Sequence, residues 1–187
     1  MRAYHTIDDV FEQVEFFVDA VSDYKSDFIL FPEYFNAPLM AKYNDMGEAQ
    51  SIRALAQYTE QMRDRFVDLA ISYNINIITG SMPYVKPDGS LYNVGFLCRR
   101  DGSYDMYEKI HVTPDEVKSW GLSGGNLVQT FDTDCAKIGI LICYDVEFPE
   151  LPRLMAAEGM QILFVPFMTD TQNAYSRVRV CAQARAI

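Results

Sequence analysis

Cys143 is the residue of this sequence best placed to act as a nucleophile. It directly follows an apolar, β-branched run at 137–142, and Pro149 stands shortly after it where a helix can open. The pattern predicts a strand, a loop and a helix, with the sulfur at the carboxyl end of the strand, where α/β proteins hold their active sites. A thiol near the amino end of that helix would favour the reactive thiolate. Most free cysteines are instead small buried hydrophobic residues, and this segment alone leaves both interpretations open.

Two charged residues follow predicted strands in the same way. Glu33 comes directly after the apolar run 28–32, and burial there would raise the pKa of its carboxyl group toward the range that suits a general base. Lys109 lies at the end of the run 104–110, and an ammonium near a thiol lowers the pKa of that thiol and can stabilise an oxyanion. A solvated glutamate and a surface lysine are the alternatives, because spacing alone does not bring distant residues together.

The amino-terminal half alternates helices with short apolar strands. Asp8 or Asp9 is predicted to cap the first helix. The apolar face of this helix consists of Val10, Phe11, Val14, Phe17, Val18 and Val21. The run 28–32 is apolar on both faces and stopped by proline, as expected of a buried parallel strand. Helical periodicity over 51–73 and a strand at 75–80 continue the alternation.

The carboxyl-terminal half predicts a hairpin followed by further strands and helices. Asp101-Gly102 is a strong turn signal between the runs 92–99 and 104–110, so the sheet should be mixed. Beyond a glycine-bearing loop, the pattern predicts strands at 127–131, 137–142 and 162–167 and helices at 149–158 and from about Ala174. The chain is therefore expected to form an α/β fold.

Composition and charge restrict the class of protein and its partners. The chain has 187 residues, 49% apolar and 13% aromatic, which suffices for one globular domain with a sizeable core. Its formal net charge of −10 would repel nucleic acid, so a small molecule is the expected partner. The amino terminus lacks the apolar core of a signal peptide, and no apolar stretch is long enough to span a bilayer, so we expect no membrane association.

The cysteines and histidines indicate neither a disulfide framework nor a metal site. The two histidines, His5 and His111, are too few and too far apart for zinc. No CxxC pairing occurs among the four cysteines, which are Cys98, Cys135, Cys143 and Cys181. We therefore expect reduced thiols in a cytoplasmic protein.

Three segments resemble the signature segments of the carbon-nitrogen hydrolase, or nitrilase, superfamily, in the same order. They are FPEYF at 31–35, YEKIH at 107–111 and CYDVEFPE at 143–150. The resemblance covers nearly the whole chain and implies an αββα sandwich with mixed sheets. It maps a catalytic triad onto Glu33, Lys109 and Cys143, and it places a second glutamate of the family at Glu116.

The resemblance implies a hydrolase that cleaves a non-peptide C–N bond, in an amide rather than a nitrile, through a thioester on Cys143. Glu33 would carry the thiol proton to the leaving nitrogen and then activate water. Lys109 and a backbone N–H near Tyr144 would hold the developing negative charge. Glu116 would orient Lys109 or the substrate. This chemistry needs no metal and no organic cofactor.

Substrate binding is expected from Tyr144, Glu147, Thr169 and Asp170, which follow predicted strands at the active edge. Many relatives carry arginine at the position of Glu147, and an arginine suits substrates that bear a carboxylate. With acids at 147 and 170, a neutral or cationic amide is favoured over an anionic one, unless both acids merely face solvent.

Other functions stay open at this point. His111 could deprotonate Cys143 in a Cys-His dyad. The chain could be a non-catalytic binding or interaction module of the same fold, or an acyltransferase that uses the same cysteine. The loop 121–125 lacks the lysine with serine or threonine that a phosphate loop requires, so we expect a turn there.

The chain is expected to be part of a longer domain. Relatives begin with an apolar strand ahead of the helix predicted near Asp8, and they continue past Ile187. We therefore expect residues 1–187 to form a single carbon-nitrogen hydrolase domain that is a fragment, lacking the first strand and the carboxyl-terminal part, so that the sandwich is incomplete at both ends. Because relatives commonly pair through helices, the full-length protein is expected to be a homo-oligomer.

Overall fold

The computed structural model describes residues 4–186 and contains two β-sheets. Within these residues the larger sheet has five strands: β1 (Phe28–Leu30), β2 (Asn76–Ile78), β3 (Met82–Val85), β4 (Leu91–Cys98) and β5 (Tyr104–Glu108). The smaller sheet of the same residues has three: β6 (Thr130–Asp132), β7 (Lys137–Ile140) and β8 (Ile162–Phe164). β1 runs parallel to β2 and β7 parallel to β8, whereas the other pairs are antiparallel. Both sheets are mixed.

Helices and short turns connect the strands. The α-helices of residues 4–186 are α1 (Ile7–Asp23), α2 (Glu48–Ala56), α3 (Thr59–Ser72), α4 (Glu150–Ala157) and α5 (Gln172–Arg185). Shorter helical turns occupy Ala37–Tyr43, Glu116–Trp120 and Cys143–Glu147. None of the helices described for residues 4–186 has the length and apolar character needed to cross a membrane.

The two sheets pack face to face between outer layers of helices. α1 and α3 cover the larger sheet, where the rings of Phe11 and Phe66 lie 5.0 Å apart between centroids. Between the sheets, Ile78 and Leu97 of the larger one share a buried cluster with Ile138 of the smaller one. α4 covers the opposite face of the smaller sheet through a third buried cluster. The predicted α/β fold, an αββα sandwich with mixed sheets, is confirmed.

β4 is the central strand of the larger sheet. Its Val94 pairs with Met82 of β3 and with Glu108 of β5. The predicted hairpin of β4 and β5 is present, and it turns at Gly102, whose φ of +87° lies in the left-handed region that suits glycine. The hairpin carries the residue after β5, Lys109, to the edge of the sheet.

Thr6, rather than Asp8 or Asp9, caps the first helix. Thr6 Oγ1 accepts the Asp9 N–H at 3.1 Å, and the Asp9 carboxylate accepts the Thr6 N–H at 2.9 Å. In this capping box Asp9 occupies the third helical position, where an acidic residue is also favoured. The helix therefore begins a few residues earlier than predicted. Phe17, predicted on the apolar face, is 49% exposed.

Two further elements differ from the prediction. The helical run predicted over 51–73 is divided between α2 and α3. Tyr58 lies at the break, and its hydroxyl is 2.9 Å from that of Tyr43. A tertiary contact therefore accompanies the turn, although the sequence keeps its helical periodicity across this point. β3 was not predicted, because a short run that contains Pro83 lacks one backbone donor and argues against a strand.

Candidate active site

Glu33, Lys109 and Cys143 each lie just beyond a strand, at one edge of the sandwich. Backbone hydrogen bonds extend the strand pairing toward them: Phe31 N–H to Ile78 O, Lys109 N–H to Asn93 O and Cys143 N–H to Pro166 O, each at 2.9 Å. Pairing of this kind fixes the direction in which each following side chain leaves the backbone. Side chains from three distant stretches of sequence therefore converge.

Lys109 is held between two carboxylates. Its Nζ lies 2.9 Å from Glu33 Oε1 and 2.8 Å from Glu116 Oε2. The side chain of Lys109 is 2% exposed, that of Glu33 3% and that of Glu116 8%. Charges at this depth are stable only when they are closely paired, because an isolated buried charge is costly. The structure thus brings together three of the four residues that the resemblance assigns to catalysis.

Cys143 borders the same cavity. This cavity has a volume of about 230 Å³, and its wall includes Glu33, Lys109, Glu116 and Cys143. The backbone of Cys143 has a φ of +48°, a left-handed conformation that costs a non-glycine residue about 1–3 kcal/mol. Strained turns directly after a strand are one way to present a nucleophile. All four residues therefore surround one space.

The surroundings of Cys143 favour its protonated thiol over the thiolate. Burial and the Glu33 carboxylate raise its pKa to about 12, and the Lys109 ammonium offsets them only in part. Of the two interpretations left open by the sequence, the thiolate at a helix amino end is disfavoured, because Cys143–Glu147 is a 3₁₀ turn and α4 begins only at Glu150. The field of a helix terminus falls off within about one turn. Attack by this sulfur therefore requires a base that removes its proton.

Glu33 is held in an environment that suits such a base. Burial raises the pKa of its carboxyl group above the ordinary value, although the Lys109 cation lowers it. Oε1 accepts a hydrogen bond from Asn93 Nδ2 at 3.0 Å, and Oε2 accepts the Met168 N–H at 3.0 Å. Neither donor was predicted from the sequence. Asn93 could have been noticed as a polar residue within an apolar strand, whereas a backbone donor such as Met168 gives no sequence signal.

Glu116 is fixed by neighbours as well as by Lys109. Thr113 donates to Oε2 from its N–H at 2.8 Å and from its hydroxyl at 3.0 Å, and the Tyr34 hydroxyl donates to Oε1 at 3.0 Å. Burial lowers the pKa of Lys109, but Glu33 and Glu116 together raise it above its ordinary value. The ammonium group therefore stays charged in the cavity.

The four predicted substrate-binding residues line a second cavity, of about 560 Å³, that also reaches Cys143. They are Tyr144, Glu147, Thr169 and Asp170. Asp115 borders both cavities, which therefore adjoin. Glu147 Oε1 accepts a hydrogen bond from Arg177 Nε at 3.3 Å. Arg177, on α5, was not indicated by the sequence, and it brings a cation beside the acids of this wall.

His111 is engaged with Asp145 rather than with Cys143. Its Nδ1 lies 3.2 Å from Asp145 Oδ1, and its ring stacks on Phe148 with the centroids 3.7 Å apart. A dyad would require an imidazole nitrogen directed at the sulfur. The geometry therefore favours Glu33 as the base.

The whole chain resembles known proteins. A family model described as carbon-nitrogen hydrolase matches residues 3–187. The chain is 46% identical over 187 residues to the probable hydrolase YhcX of Bacillus subtilis (strain 168), across 100% of this chain and 36% of that relative. It is 30% identical over 168 residues to the omega-amidase NIT2 of Homo sapiens, across 83% of this chain and 56% of that relative. The chain thus spans about a third and about half of the lengths of these two proteins.

A solved structure shows the same architecture. The crystal structure of a carbon-nitrogen hydrolase from Helicobacter pylori G27 matches this chain with a TM-score of 0.83 and 20% identity, across 100% of this chain and 66% of that one. At this identity the likeness concerns the fold, which is the α/β sandwich described above.

Proposed function

The chain belongs to the carbon-nitrogen hydrolase family, and we propose that it acts as an amidase through a thioester on Cys143. One observation carries the proposal: Lys109 Nζ lies 2.9 Å from Glu33 Oε1, beside a cavity that Cys143 also lines. A thiol, a cation and a carboxylate around one cavity are the groups that acyl transfer to sulfur requires. The human relative is an omega-amidase, which supports an amide rather than a nitrile as substrate.

The first half of the proposed reaction forms the thioester. Cys143 Sγ attacks the carbonyl carbon of the amide while Glu33 takes the thiol proton, so that a thiol with a pKa of about 12 need not ionise beforehand. Glu33 then delivers this proton to the nitrogen, the C–N bond breaks, and ammonia or an amine leaves. The acyl group remains on the sulfur.

The second half releases the acid. Glu33 takes a proton from a water molecule, whose oxygen attacks the thioester carbon. The C–S bond then breaks, the sulfur regains the proton, and a carboxylic acid leaves. The enzyme returns to its starting protonation state.

Lys109 stabilises the negative charge that forms on the carbonyl oxygen in both halves, together with the backbone N–H of Tyr144. Glu116 holds the ammonium in place through the contact of 2.8 Å and helps to keep it charged. A fixed cation from which water is excluded stabilises a developing negative charge more strongly than a cation in solvent does.

The substrate is proposed to be a neutral or cationic amide. Asp115, Glu147 and Asp170 line the second cavity, and Arg177 pairs with Glu147 and offsets one of these charges. The remaining negative charge disfavours a substrate with a carboxylate. Primary amides of equal chain length that end in ammonium, methyl or carboxylate test this point. A value of kcat/KM that is highest for the carboxylate would contradict it.

The thioester is tested by intact-mass measurement after rapid acid quench of the protein with an amide. We expect the acyl adduct in the wild type and none in Cys143→Ala. Cys98 is a matched control, because burial raises its pKa to about 12 as well, and Cys98→Ala should keep the adduct. An adduct that persists in Cys143→Ala would refute the proposal, and analysis of products with added amines separates hydrolysis from acyl transfer.

A further inference from the structure

Asp145 is a buried carboxylate that the reaction above does not use. Its side chain is 1% exposed. Oδ1 accepts the His111 backbone N–H at 2.6 Å and lies 3.2 Å from the ring nitrogen Nδ1 of the same residue. Oδ2 accepts the N–H groups of Ile110 at 3.3 Å and of Ile142 at 3.2 Å. One carboxylate therefore joins two separate segments of the backbone.

Each of these segments carries a residue of the proposed triad. Ile110 and His111 directly follow Lys109, and Ile142 directly precedes Cys143. The first segment continues β5 of the larger sheet, and the second continues β7 of the smaller sheet. The Asp145 carboxylate thus spans the junction between the two sheets, one residue away from each reacting group.

Two further backbone contacts beside the Asp145 carboxylate each stay within one sheet. Lys109 N–H donates to Asn93 of its own sheet, and Cys143 N–H donates to Pro166, in the segment that follows β8 of the smaller sheet. Such bonds fix each residue relative to its own sheet, whereas the bond from Met168 N–H to Glu33 Oε2, at 3.0 Å, crosses between the sheets at this edge without engaging the backbone of Lys109 or Cys143. An ionised carboxylate with two acceptor oxygens can add a directional constraint.

We propose that Asp145 is a positioning residue, whose carboxylate sets the placement of the Lys109 ammonium relative to the Cys143 sulfur by tying the two backbone segments together. The inference rests on the function proposed above. Asparagine cannot replace this carboxylate, because its single carbonyl oxygen can serve only one side of the contact. Its NH₂ group would then face backbone N–H groups, which are also donors.

The test is the variant Asp145→Asn in the protein with the amide that it turns over. We expect kcat to fall by about 100-fold, the usual effect of misplacing reacting groups by about 1 Å, with a smaller change in KM. Alkylation of Cys143 should also become slower at a given pH, because Lys109 lowers the pKa of this thiol and would lie farther from it. General loosening of the fold would instead expose the thiol and speed its alkylation.

Asn76→Ala is the matched control. Asn76 is fully buried at the start of β2, at the end of the strand opposite the site, and its Oδ1 accepts the Arg100 N–H at 3.3 Å. This variant also removes a buried acceptor of a backbone N–H, so it should lower the unfolding midpoint while leaving kcat and the alkylation rate near wild type.

The outcomes separate this inference from the proposed function. If the wild type forms the thioester and Asp145→Asn matches it in kcat, or alkylates faster, Asp145 is not a positioning residue. If the wild type forms no thioester, the proposed function itself fails. If Asp145→Asn does not fold, hydrogen exchange of the wild type tests the contacts directly. The backbone amides of Ile110, His111 and Ile142 all donate to the Asp145 carboxylate, so they should be protected from exchange to a similar degree. Exchange of these amides at the rate of exposed loops would overturn the proposal.

Discussion

Replacing Glu33 with glutamine separates the proposed base from the rest of the site. The substitution removes one negative charge and keeps an oxygen for Lys109 and Asn93, both of which donate to Oε1 of the native carboxylate, while its NH₂ group replaces the Oε2 that accepts the Met168 N–H. The amide group cannot take a proton from the Cys143 thiol. We therefore expect amide turnover to fall by about 100- to 10,000-fold, the usual contribution of a positioned general base.

The same substitution should change how alkylation of Cys143 depends on pH. With a thiol pKa of about 12, roughly one thiol in 100,000 is ionised at pH 7. In the wild type the thiol proton can pass to Glu33, which gives a thiolate beside a protonated carboxyl group. This transfer takes no proton from solvent and releases none. Between the pKa values of the two groups, the population of this thiolate therefore does not change with pH. Glutamine removes this route, so the alkylation rate should rise about tenfold per pH unit.

The assay is the rate of carbamidomethylation of Cys143 by iodoacetamide, followed by mass spectrometry from neutral to alkaline pH. Glu60→Gln is the matched control, since Glu60 lies on α3 outside the cavity and accepts from the Tyr84 hydroxyl at 3.3 Å. It should reproduce the wild-type profile. The reasoning is refuted if Glu33→Gln keeps turnover within about tenfold of the wild type, well short of the loss of a general base. A wild-type pH profile in that variant would refute it equally.

Three further predictions concern the same cavity. Lys109→Met leaves the carboxylates of Glu33 and Glu116 without their cation, so the free energy of unfolding in urea should fall by about 3–5 kcal/mol, and a loss below about 1 kcal/mol would contradict the structure. Because Glu33 must be ionised to act and its pKa is raised above 4.5, kcat/KM should fall as the pH drops through that raised value, and this acid limb should be missing in Glu33→Gln. His111→Ala should lose much less than the roughly 100-fold expected for a general base, and near-complete loss of turnover would restore the Cys-His dyad.

The fold class could be predicted because its signals are local, whereas the proposed triad was assigned by the resemblance to the carbon-nitrogen hydrolase superfamily. Short apolar runs followed by Glu33, Lys109 and Cys143 indicate strand ends, and the hairpin turn shows directly in Asp101-Gly102. The start of the first helix was displaced, because Thr6 and Asp9 are both typical of the first helical turn.

The protonation state of Cys143 could not be predicted in the same way. It depends on burial and on Glu33, which come from distant stretches of sequence, and on the 3₁₀ turn that separates the sulfur from α4. The local pattern left a thiolate at a helix terminus and a buried thiol both open. Tertiary packing favours the protonated thiol.

The amino-acid order alone specified which chemical groups end which strands, because each apolar run and the turn after it can be recognised from a few neighbouring residues. How these groups meet was decided only by the assembled sandwich, since Lys109 belongs to one sheet and Cys143 to the other. The buried contacts of Asn93 and Asp145 and the exposed ion pair of Arg177 with Glu147 arise from that assembly. Hydrogen bonds and desolvation act over a few ångströms in space, and residues far apart in sequence come within that range only when the two sheets pack together.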